Sequence, residues 1–142
     1  MSQPLVSILT PFKNVSNYIE ECLTSIINQS YNNWELIIID DHSTDNSFDI
    51  VEDLAKSDSR IKLFKNDGAG IIKALRKAFK ESSGDYVTRM DSDDIMAKNK
   101  LEVMVNQLKE YGKQHVALGL VQYFSAIGIS NGYAKYEAWL NR

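Results

Sequence analysis

Three carboxylates, Asp91, Asp93 and Asp94, crowd the end of the run Tyr86 to Met90. That run reads as a strand. Side chains on an extended segment alternate with period two, so Asp91 and Asp93 are expected to point the same way. Two carboxylates on one face make a hard, oxygen-only anionic site. It suits Mg²⁺ or Mn²⁺ held together with a phosphate. A plainer role is open to Asp93 or Asp94, since Asp is a favoured helix N-cap. One cap needs one carboxylate, and this loop offers three. A second acidic loop, Asp40-Asp-His-Ser-Thr-Asp45, follows the apolar run Leu36-Ile-Ile-Ile39.

Several elements must position these loops. Leu5 to Thr10 reads as a buried strand that Pro11 stops. Asn17, with Glu20 three residues on, is placed to cap the next helix. Its apolar face runs through Ile19, Cys22, Leu23, Ile26 and Ile27, so Cys22 reads as inert packing. Leu36 to Ile39 reads as a strand covered on both faces. Ser43, Thr44 and Asp45 are candidate caps for a helix carrying Phe48, Val51, Leu54 and Ala55. A third strand, Ile61 to Phe64, leads through the glycine-bearing segment Asn66 to Gly70 into a helix with Ile71, Ala74, Leu75, Ala78 and Phe79 on its apolar face. Beyond the acidic cluster, Leu101, Met104, Val105 and Leu108 define a helix that Gly112 can close. His115 to Phe124 reads as a strand, Gly128 to Gly132 as a loop, and Tyr133 to Arg142 as helical. This alternation predicts an α/β fold, a Rossmann-like and mostly parallel sheet flanked by helices. The acidic loops then converge at the carboxyl ends of the strands, where such sheets bind ligands.

The chain of 142 residues, 44% hydrophobic and 25% charged, is expected to form one α/β domain, residues 1–142. A net charge of -3 without a long basic stretch argues against nucleic-acid binding. One cysteine allows no internal disulfide and fits a reducing, cytoplasmic setting. No apolar run is long enough to span a bilayer, which leaves peripheral association at the inner membrane face open.

Four blocks in order carry a family resemblance: Val6-Ser-Ile-Leu-Thr-Pro-Phe-Lys-Asn14, Ser25-Ile-Ile-Asn-Gln-Ser30, Trp34-Glu-Leu-Ile-Ile-Ile-Asp-Asp-His-Ser-Thr-Asp45 and Arg89-Met-Asp-Ser-Asp-Asp94. The sequence resembles the family 2 glycosyltransferases, whose nucleotide-binding fold is of the GT-A type. The resemblance implies a nucleotide-sugar donor, usually a UDP-sugar, and an inverting transfer to a saccharide or lipid-linked acceptor in cell-surface polysaccharide synthesis. Asp41 would accept from the uracil N3–H, with Thr10, Pro11 and Phe12 around the base and Asp67 near the base or ribose. Asp91, with Ser92 beside it, would contact the ribose, and Asp93 would bind Mg²⁺ or Mn²⁺. Arg89 would meet the nucleotide or pair with a carboxylate. The segment Ile71 to Lys77 departs from the Ala-Arg-Asn pattern common in the family. The family's general base has no counterpart before Arg142. The expectation is therefore a donor-binding part whose acceptor-binding part lies beyond residue 142.

Overall fold

The computed structural model describes residues 3–112 and 114–142. The chain forms two compact units, residues 1–103 and 104–142. The first holds four strands, β1 (Val6–Phe12), β2 (Trp34–Asp40), β3 (Ile61–Lys65) and β4 (Tyr86–Arg89), in the order β3-β2-β1-β4. Every pairing is parallel. Helices α1 (Ile19–Ile27), α2 (Ser47–Ser57) and α3 (Ile71–Glu81) provide the crossovers that parallel strands require. The strand order reverses beside β1, so a topological switch point lies between β1 and β4.

Both sheet faces are covered, which is why Leu36 to Ile39 of β2 is an unbroken apolar run. Leu9, Ile37 and Ile39 pack with Ala74 and Ala78 of α3, with Phe64 and Leu75 at the margin. Ile8, Leu36 and Ile38 alternate with them and are also fully buried. The small Ala74 and Ala78 let α3 lie close against β1 and β2.

A polar cluster holds the opposite, amino-terminal end of the sheet. Glu35 is buried, and its Oε1 accepts from the Ser7 hydroxyl at 2.6 Å and from the Ser83 N–H at 2.6 Å. Its Oε2 accepts from Lys62 at 2.7 Å. The Ser7 hydroxyl oxygen in turn accepts from the Gly84 N–H at 2.8 Å. Gly84 has no room for a side chain, because a Cβ there would meet Ser7 Oγ at 2.6 Å and Ser7 N at 2.7 Å.

Several local expectations are corrected. Pro11 does not stop β1, which continues to Phe12. Leu9 C=O accepts from Met90 on the β4 side and Phe12 C=O from Asp41 on the β2 side. Pro11 therefore faces the side on which β4 has already ended, and its missing N–H breaks no ladder bond. Asn17 does not cap α1. Tyr18 is the N-cap, and the Tyr18 and Ile19 N–H groups both donate to Val15 C=O. For α2, Ser43 and Thr44 are displaced by Asp45, which sits one residue before the cap position and accepts from the Ser47 N–H at 3.0 Å. β4 ends at Arg89, so Asp91 to Asp94 form a turn and not an extended strand.

Helix α4 (Lys100–Tyr111) is followed by Gly112 at φ +89, as expected for a helix-ending glycine. In the second unit His115 to Phe124 is not a strand. An apolar run becomes a strand only with a neighbour for its N–H and C=O groups, and no strand of the described residues pairs with it. Helix α5 (Asn131–Leu140) begins within the expected loop and takes in Gly132. Asn141 brackets Val121 by accepting from its N–H at 2.8 Å and donating to its C=O at 2.6 Å. Glu137 accepts from the Tyr123 N–H at 2.5 Å, which gives this carboxylate a structural role.

Candidate active site

A cleft of about 250 Å³ opens at the carboxyl ends of β1, β2 and β4, at the switch point. Pro11 and Phe12 line it from β1 with Lys13 just beyond, Asp41 from the residue after β2, and Arg89, Asp91, Ser92 and Asp93 from β4 and its turn. Val15 and Ile71 complete the lining. A larger cleft of about 330 Å³ beside α2 and β3 gathers no comparable set. There Glu52 is paired with Lys56, and Lys65 sits over the Phe48 ring.

The end of β2 delivers Asp41 with 8% exposure. Asn66 donates to its Oδ1 at 2.7 Å, and the Gly70 N–H lies 3.0 Å from both of its oxygens. The Asn66 amide above all, with the Gly70 N–H, holds this carboxyl below its usual range against the opposing effect of burial. An ionised carboxylate offers about four acceptor positions, so these donors leave room for one more. Gly70 stands at φ 90 and ψ 156, a conformation open essentially to glycine alone.

Beside it, the β1 and β2 loops are stitched together. Asn14 adopts φ +52, where Asn is tolerated, and its Oδ1 accepts from the Thr44 N–H at 2.8 Å. The Asn14 and Val15 N–H groups donate to the hydroxyls of Ser43 and Ser47. Asp45 accepts from the Ser16 N–H as well as from Ser47, and the Ser47 hydroxyl foremost holds its carboxyl far below the usual range.

On the β4 side, Arg89 donates through Nε at 2.9 Å and Nη2 at 2.6 Å to Asp91 Oδ1. Asp91 Oδ2 has no hydrogen-bond partner among the described residues, and Asp91 lines the cleft. Asp93 is exposed. Desolvation, then the like charges of Asp93 and Asp91, push the Asp94 carboxyl above its usual value. Asp94 is itself exposed, so crowding of like charge is the part that a cation would relieve. Cys22 lies beneath the turn, its Sγ 3.5 Å from Asp91 C=O, and burial foremost pushes its thiol up to about 12. It is inert packing, as its place on the apolar face of α1 suggests.

No group of three or more His, Cys, Asp or Glu able to hold a metal occurs among the described residues. A hard cation here would draw on one or two carboxylates and on ligand oxygens, the arrangement typical of Mg²⁺ with phosphates. Asp91 and Asp93 fit that requirement.

Of the residues singled out in the sequence, Pro11, Phe12, Asp41, Arg89, Asp91, Ser92 and Asp93 come together in the cleft. Thr10 does not reach it. Its side chain is fully buried within β1, and its hydroxyl has no partner among the described residues. Asp67 does not line it either; its exposed carboxylate pairs with Lys77 at 2.7 Å. Lys13, Val15 and Ile71 also line the cleft, beyond the residues that the sequence singles out. Lys13 sits between Phe12 and Asn14 in the first sequence block, and that position was the available signal. Nothing in the helical spacing of Ile71 distinguished it from core.

The profile of glycosyl transferase family 2 matches residues 7–138. The chain belongs to glycosyl transferase family 2. Among its family 2 relatives is WfgD of Escherichia coli, a UDP-Glc:alpha-D-GlcNAc-diphosphoundecaprenol beta-1,3-glucosyltransferase. It is 42% identical over 110 residues, which are 76% of this chain and 42% of WfgD. The glycosyltransferase GlyA of Streptococcus pneumoniae is 35% identical over 120 residues, 84% of this chain and 17% of GlyA. Among solved structures, S. aureus TarS 1–349 in complex with UDP superposes with a TM-score of 0.69 at 29% identity, covering 74% of this chain and 32% of TarS. The mannosyltransferase PcManGT from Pyrobaculum calidifontis, in complex with GDP-Man and Mn²⁺, gives 0.69 at 27% identity, covering 76% and 33%. The sheet and its flanking helices are thus of the GT-A type. The chain spans 43% of the length of the first curated relatives it matches. No helix among the described residues is long and apolar enough to cross a membrane.

Proposed function

We propose that this chain is the donor-binding portion of a metal-dependent, inverting glycosyltransferase that uses a UDP-sugar. The acceptor would be a saccharide or lipid-linked sugar of cell-surface polysaccharide synthesis, met on the cytoplasmic side of the membrane. One observation carries the reading: Asp41 and Asp93, from distant places in the sequence, line the same cleft at the switch point. The UDP complex of TarS, the Mn²⁺ complex of PcManGT and the donor in WfgD's name support it.

The residues divide the task by chemistry. Asp41 can only accept, so it suits the uracil N3–H and disfavours cytosine, which presents an acceptor there. Pro11, Phe12 and Ile71 supply apolar wall for a base. Asp91, steadied by Arg89, offers Oδ2 to a ribose hydroxyl. Asp93 is the residue to hold Mg²⁺ or Mn²⁺, with the diphosphate supplying further oxygens. The chemistry a bound cation supplies is neutralisation of the charge that develops on the departing diphosphate. No residue of the cleft is assigned as general base for the acceptor hydroxyl.

Titration calorimetry with UDP, CDP and UTP, each with and without MnCl₂, tests the proposal. UDP binding that Mn²⁺ strengthens, that CDP does not match, and that Asp93→Ala reduces to its metal-free value is the expected result. Absence of a metal-dependent UDP signal would overturn it, and pyrophosphate release from UTP would point to a nucleotidyltransferase instead.

A further inference from the structure

The block Ser25-Ile-Ile-Asn-Gln-Ser30 lies at the end of α1 and contributes no residue to the cleft. Its polar side chains act elsewhere. Gln29 is buried, with 3% exposure. Its Nε2 donates to Ala97 C=O at 2.8 Å and, at longer range, to Ser25 C=O at 3.2 Å and Met96 C=O at 3.5 Å. Its Oε1 accepts from the Leu101 N–H at 3.2 Å. Ser25 Oγ accepts from the Met96 N–H at 2.9 Å while donating to Cys22 C=O at 2.6 Å. The Ser30 N–H donates to Lys98 C=O at 2.9 Å.

Met96 and Ala97 belong to neither helix nor strand, so their backbone groups depend on such partners. The segment begins three residues after Asp93. On the other side of the acidic turn, the Met90 N–H is fixed to Leu9 C=O at 3.0 Å. The turn is therefore suspended between the register of β4 and the end of α1. Arg89 orients Asp91, but Asp93 has no hydrogen-bond partner among the described residues. Its place is set through the backbone alone.

We propose that Ser25 and Gln29 are positioning residues for the acidic turn: by clamping the main chain of Met96 to Leu101 they set where Asp93 stands relative to the cleft. The consequence for cation and diphosphate rests on the reading given under Proposed function. The clamp itself does not.

Amide hydrogen exchange and UDP titration on Gln29→Ala, Gln29→Glu, Ser25→Ala and Ser25→Thr test this. In Gln29→Ala the amides from Asp93 to Leu101 should exchange about tenfold faster, the equivalent of one lost buried hydrogen bond. Those of Leu36 to Ile39 should be unchanged. Gln29→Glu keeps the acceptor for Leu101 but loses the donor to Ala97, so it should not rescue. Ser25→Thr keeps the hydroxyl and should behave like the parent, whereas Ser25→Ala should not. The gain in UDP affinity on adding MnCl₂ should shrink by about fivefold in Gln29→Ala, while metal-free UDP affinity holds. Unchanged exchange at Asp93 to Leu101, or exchange rising equally through β2, would overturn the clamp. If the parent chain shows no gain from MnCl₂, the function reading fails, and the exchange comparison still decides the clamp.

Discussion

Asp41 and Gly70 are joined across the rim of the cleft, the Gly70 N–H lying 3.0 Å from each oxygen of the Asp41 carboxylate. One side chain thus anchors the start of α3 and faces the cleft. Asp41→Ala should cost about 1–3 kcal/mol, because Asn66 and Gly70 lose the acceptor for buried donors. Urea denaturation measures that cost. In the same variant, UDP affinity should fall well beyond what the lost stability explains under conditions where the protein remains folded.

The conformation of Gly70 has its own consequence. A Cβ there meets nothing within 4 Å, so the objection to a side chain is the backbone and not space. Gly70→Ala should lose about 1–3 kcal/mol through strain. Gly84→Ala should lose stability for the opposite reason, since its φ lies outside the left-handed region and the clash with Ser7 is steric. Shortening Ser7 by Ser7→Gly in the Gly84→Ala background removes one clashing atom, but leaves Ser7 N and the Tyr86 C=O in place and takes a donor from Glu35. It should give at most partial recovery in a melting experiment.

Acid should act through Glu35. Burial raises its pKa, but hydrogen bonds from Lys62, Ser7 and Ser83 outweigh that and bring it from 4.5 to about 2. The folded value is the lower one, so the stabilisation is present above the unfolded pKa and is lost as pH falls through the folded one. The window is therefore from about pH 5 down to about pH 2, and the loss is on the order of 3 kcal/mol. Glu35→Gln should be less stable at neutral pH and flatter across that window, as read from urea midpoints at successive pH values.

Arg89 and Asp91 form an exposed pair, with side-chain exposures of 52% and 47%. Arg89→Gln should therefore change stability by less than about 1 kcal/mol. It should nonetheless weaken UDP binding, because it removes a cation from the cleft and frees Asp91 to rotate. An unchanged melting temperature with reduced affinity in calorimetry is the expected pair of results.

Much of this protein is local in origin. The unbroken run Leu36 to Ile39 determines a strand buried on both faces. The spacing of Ile19, Cys22, Leu23 and Ile26 determines a helix with its thiol inside. The clustering of Asp91, Asp93 and Asp94 determines a focus of negative charge wherever that turn is placed. Each depends on side-chain periodicity or composition, which neighbouring residues already contain. The tertiary structure decided what depends on distant partners. Pro11 stays in β1 because β4 has ended beside it, and Asp67 pairs with Lys77 outside the lining of the cleft. Thr10 is sealed inside the sheet, His115 to Phe124 finds no strand to pair with, and Ile71 reaches the cleft because α3 packs where it does. Asp41 and Asp93 become neighbours of one cavity only because β1, β2 and β4 assemble in the order β2-β1-β4, a parallel pairing that no stretch of sequence contains by itself.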